Sequence, residues 1–146
     1  MVVSLLLAVV LVGGCRGEEV PPDLQPDAVL RRELGLTDAD RVHRVLLTSA
    51  ERERLTPDSV VLPRGAWVEF VTGDWRLHEV RFVMDSLRAA GRAFLESTDQ
   101  AASPPLVDRD ARFVVFFGDA PTGRYPFVVE GNGRPAHGVV VVVPKP

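Results

Sequence analysis

PDSVVLPRGAWVEFVTGDWRLHEVRF, residues 57–82, decides the fold. SVVLP (59–63) is a short β-branched run bounded by prolines. AWVEFVT (66–72) alternates, with Val68 and Phe70 on one face and Glu69 on the other. HEVRFV (78–83) alternates again, Val80 and Phe82 against Glu79 and Arg81. Pro63-Arg64-Gly65 and Thr72-Gly73-Asp74 are turn signals between these runs. Three short strands in succession predict a β domain, with His78 at the head of the third.

The same grammar extends in both directions. RVHRVLLTS (41–49) reads as a strand before them, and RFVVFF (112–117), RYPFVVE (124–130) and GVVVVV (138–143) as strands after them. Seven short strands separated by turn residues predict an all-β sandwich. One interruption stands out: in DSLRAAGRAFLEST (85–98), Leu87, Ala90, Phe94 and Leu95 fall near helical spacing, so a short helix is inserted between strands. Gly91 weakens that helix by about 1 kcal/mol relative to alanine. The valine run must pair inside the sandwich, because a β-branched, uncharged strand left open is an aggregation hazard; Val141 is read as one of its inward residues.

Composition sets the outer limits. The chain has 146 residues, enough for one domain of ordinary size. A formal net charge of −3, with both signs interspersed, gives no basic face for nucleic acid. At the N-terminus, residues 2–12 form an apolar run too short to span a bilayer, and it stops at Gly13-Gly14-Cys15. Cys15 is the only cysteine. Residues 16–28, RGEEVPPDLQPDA, have the composition of an extended tether. DAVLRRELGL (27–36) supports a short helix capped by Asp27 and ended near Gly35, which either packs on the domain edge or lengthens the tether. The resulting division is a leader at 1–14, a lipidated cysteine and tether at 15–40, and a β domain at 41–146.

Two resemblances follow from these residues. Val12-Gly13-Gly14-Cys15 resembles the lipobox of bacterial lipoproteins, which implies cleavage before Cys15, a diacylglyceryl thioether on its sulfur, an acylated new N-terminus and a membrane anchor at the cell envelope. Arg16, where an aspartate would signal inner-membrane retention, leans this toward the outer membrane. Residues 57–82, together with Gly123, Tyr125 and Phe127 of the later strand, resemble the cupredoxins, the blue copper proteins of plastocyanin type. That resemblance implies a mixed Greek-key β-sandwich in which His78 holds the position of the first histidine ligand. It also places Val129 at the position of the cysteine ligand, Asn132 at that of the second histidine and His137 at that of the methionine.

The chemistry of these replacements shapes the functional expectation. A blue copper site needs a thiolate with two imidazoles, and Val129 offers no lone pair. Asn132 is a hard, neutral donor. His78 and His137 are therefore the only candidate metal ligands, for copper bound weakly if at all; otherwise no cofactor is expected. His78 has a second reading, as a polar residue at a strand end bonded near the 131–138 loop. His43 and His137 read as surface residues, Trp67 as core packing, and Trp75 as either loop packing or a recognition surface. Gly131-Asn132-Gly133 reads as a turn at positive φ. Ser86 and Asp85 beside His78 lack the nucleophile-elbow context of a hydrolase. The expectation is a non-enzymatic binding or structural module with an envelope protein partner. The alternative is a copper binder or electron carrier rebuilt around His78 and His137.

Overall fold

The computed structural model describes residues 17–146; Cys15 and the leader lie outside the described residues. Eight strands form two four-stranded sheets. The strands are β1 (Val42–Ser49), β2 (Glu53–Thr56), β3 (Ser59–Pro63), β4 (Trp67–Thr72), β5 (His78–Phe82), β6 (Arg112–Phe116), β7 (Gly123–Gly131) and β8 (Ala136–Val143). The first sheet has the order β2-β1-β4-β6 and the second β3-β8-β7-β5. β1 runs parallel to β4 and β3 parallel to β8; the other pairings are antiparallel. Helices α1 (Ala28–Leu34) and α2 (Ala89–Ser97) complete the fold.

The inner faces of the two sheets meet in one core. Phe70, Phe82, Phe117 and Phe127 are fully buried, and Phe70 meets Phe127 edge to face at 5.0 Å between ring centroids. The inserted helix closes one flank through buried Leu95, while Phe94 packs against Phe117 and Tyr125. β8 corrects one expectation. Val140 and Val142 point inward and are buried, whereas Val141 faces out beside Val61, which is 59% exposed. The strand's parity follows from its register with β7, where Tyr125, buried, pairs with Val140.

Two further features go beyond the sequence reading. β2 adds an eighth strand at the edge of the first sheet, pairing Leu55 with Leu47 of β1. The segment read as tether or edge packing is docked: Val20 and Leu36 are buried, and Leu30 of α1 packs with Leu36 and Val42 against Trp67 and Val114 on the outer face of the first sheet. Asp27 serves both helix and sheet. One carboxylate oxygen caps α1 by accepting from Val29 N and Leu30 N at 3.0 Å, and the other accepts from Arg112 at 2.7 Å. Covered in this way, Glu69 lies fully buried on the sheet's outer face, hydrogen-bonded by Arg112 and with Arg44 Nε 2.7 Å away. Burial works against the Asp27 carboxylate, but the helix N–H groups and the Arg112 and Arg44 guanidiniums hold its pKa below the ordinary value.

Candidate functional site

β1 and β4 both run toward one end of the sandwich, where β5 begins and β7 turns into β8. His78, the first residue of β5, is completely buried there. β5 alternates strictly, so the inward face that carries Val80 and Phe82 also carries His78. Backbone pairing on both sides fixes the residue: His78 N donates to Leu106 O and its carbonyl accepts from Leu106 N, both at 2.9 Å, while Gly131 of β7 lies opposite.

The imidazole is occupied at both nitrogens. Nδ1 lies 2.7 Å from Oε2 of Glu53, and Nε2 lies 2.7 Å from Oδ1 of Asp74. Glu53 is 1% exposed. It comes from β2, whose inward face carries Glu53 and Leu55, and it sits beside Gly131, where a side chain would collide with the Leu77 carbonyl and lie 2.6 Å from Glu53 Oε1. Glycine is required at 131 by this close approach. Neither Gly131, Asn132 nor Gly133 adopts positive φ, contrary to the turn reading; the glycines at positive φ are Gly35, Gly65 and Gly123.

Asp74 belongs to the β4–β5 turn and organises it. Its Oδ2 accepts from Ser49 N at 2.8 Å and its Oδ1 accepts from Arg76 N at 3.0 Å as well as contacting His78. Burial acts to raise its pKa, but the hydrogen bond with His78 and those from Arg76 N and Ser49 N outweigh it, and the carboxyl is held below its ordinary value of 3.8. A depressed folded pKa means that Asp74 stabilises the fold above about pH 4 and that this contribution fades as pH falls through its folded value. Acid titration of a Trp67→Phe variant, followed by Trp75 fluorescence, should therefore show the 73–77 turn loosening below pH 4. A trace that stays flat until global unfolding would show that Asp74 does not hold the turn.

Two carboxylates that take opposite edges of one ring cannot converge on a single point. Among the described residues, no group of three or more histidines, cysteines, aspartates or glutamates is placed to hold a metal ion. His137 is exposed and pairs with Val128, which itself pairs with Arg81. That row faces outward, so His137 and His78 lie on opposite faces of the second sheet. Val129 is fully buried in the core, opposite Val80, and Asn132 is exposed. Ser86 and Asp85 lie in a 3-10 turn after β5, away from the strand's His78 end. Trp75 is 73% exposed, on the turn that carries Asp74.

No protein-family model and no curated protein matches the sequence. Solved structures do. The oxidized plastocyanin of Dryopteris crassirhizoma superposes with a TM-score of 0.50 at 17% identity, covering 68% of this chain and 99% of that one. A copper(I) form of an amicyanin variant gives a TM-score of 0.50 at 19% identity, covering 84% and 95%. The chain carries a cupredoxin-fold domain. Within that domain, the sequence reading found His78 but missed Glu53 and Asp74. Asp74 was within reach, since it precedes His78 by four residues in a marked turn. Glu53 was visible only as the residue sharing Leu55's parity within the charged run ERER (51–54).

Proposed function

We propose that this chain is a lipoprotein of the cell envelope, anchored through Cys15, whose cupredoxin-fold domain works as a non-enzymatic binding or structural module and not as a type 1 copper carrier. The observation that carries this reading is the state of His78: both ring nitrogens are engaged by Glu53 and Asp74. Around it, Val129 and Asn132 supply neither a thiolate nor an imidazole, so the residues present do not fit a blue copper ion. Trp75, exposed beside the buried cluster, marks the 73–77 turn and the neighbouring 131–135 segment as the face toward a protein partner in the envelope.

Equilibrium dialysis of the full chain against micromolar Cu(II) tests the metal half of this reading. The expected result is no tightly held equivalent. A retained equivalent that disappears in the His137→Ala variant would restore a copper handler built on that histidine. His137 is exposed, so its loss leaves the fold intact.

A further inference from the structure

The two ends of the sandwich differ, and Val20 lies at only one of them. β1 starts at Val42 beside Trp67, the first residue of β4, and ends at Ser49, whose amide reaches Asp74. Seven strand steps place the Glu53–His78–Asp74 cluster roughly 23 Å from the Arg41 end. At that end Arg64 N donates to Val143 O, Gly65 N to Phe117 O and Trp67 N to Arg41 O.

Val20 is fixed there. It is 7% exposed, and its carbonyl accepts from Gln25 Nε2 at 2.9 Å. It lines a shallow cavity of about 400 Å³ with Arg41, Arg64 and Lys145. Glu18 is the one acidic residue in that lining. Val20 lies five residues beyond Cys15, and covalent geometry lets those five steps span on the order of 18 Å at most. An acyl anchor at Cys15 thus keeps Val20 within that distance of the bilayer interface, less than the length of the sandwich.

We infer that the end bearing Arg41, Arg64 and Lys145 lies against the membrane, with anionic phospholipid headgroups as its ligand, and that the Glu53–His78–Asp74 end with Trp75 is presented away from it. This rests on the anchoring proposed for Cys15. The short reach supplies the orientation, and three cationic side chains against one acidic side chain in the cavity lining supply a local attraction to anionic headgroups.

The test uses the full chain, expressed in a bacterium and reconstituted in phosphatidylcholine vesicles with or without phosphatidylglycerol. Diacylglyceryl transfer consumes the Cys15 thiol as a thioether, so nitroxides can be attached at Pro146→Cys, at the cationic end, or at Asn132→Cys, at the other. Relaxation by a gadolinium-chelating lipid reads their distance from the headgroups. The expected result is several-fold stronger relaxation at 146 than at 132, increased by phosphatidylglycerol. The Arg41→Gln, Lys145→Gln double variant should lose that increase. Equal or reversed relaxation on an acylated chain overturns the orientation and leaves the anchoring reading in place. An increase that survives in the double variant overturns the headgroup assignment. Mass spectrometry showing an unmodified Cys15 overturns the anchor and this inference together.

Discussion

Replacing His78 by alanine lowers the free energy of unfolding by about 3–5 kcal/mol, the cost of deleting a fully buried side chain and leaving its buried hydrogen-bond partner unsatisfied. The magnitude comes from what remains. Glu53 is 1% exposed and its Oε2 has His78 Nδ1 as its partner; the other oxygen reaches only Gly133 N, at 3.4 Å. Removing the ring strands that carboxylate in a site closed by β7 and by the Leu77 carbonyl. Against a total stability of about 5–15 kcal/mol for a domain of this kind, the loss is large. Urea unfolding measures it. The Glu53→Gln variant separates charge from packing: an amide keeps the shape and one hydrogen bond to the ring, so it should cost less than His78→Ala. Equal stability of His78→Ala and the parent would mean that Glu53 is not sealed as described.

The second large effect is on β8. Val140→Arg places an unpaired guanidinium between the sheets, where Val140 is fully buried opposite Tyr125, and should abolish soluble folded protein. Val141→Arg, one residue along, puts the same charge on the outer face beside Val61 and should fold normally. Circular dichroism and gel filtration of the two variants read the parity of the strand directly. A folded Val140→Arg with an insoluble Val141→Arg would place the strand one residue out of register.

Much of the fold was legible because strand alternation is a local property. HEVRF declares its inward face by spacing alone, and so does the Asp27-to-Gly35 frame of α1. Residues whose burial depends on distant partners were not legible. Glu69 alternates with Val68 and Phe70 and reads as solvent-facing; it is buried because α1 and two arginines from other strands cover that face. Glu53 sits in ERER, which has the composition of an exposed turn, and only the partner imidazole 25 residues later turns it inward. The tether composition of 16–28 hid the burial of Val20, and for Leu30 and Leu36 it left edge packing and tether as alternatives, of which edge packing is observed. Prolines and acids set the average composition, whereas a few apolar side chains at the right spacing suffice to dock the segment. At the site, the sequence supplied Val129 and Asn132 at the positions that the resemblance gives to copper ligands, and the structure supplied Glu53 and Asp74 as the partners of His78.

The central claim is that, in a fold shared with copper proteins, His78 joins two carboxylates. The most direct measurement is the visible absorption spectrum of the purified chain after addition of Cu(II). The account predicts no intense thiolate-to-copper band, because Val129 provides no sulfur and His78 is held at both nitrogens. A strongly blue protein, with its colour lost in His78→Gln, would contradict it.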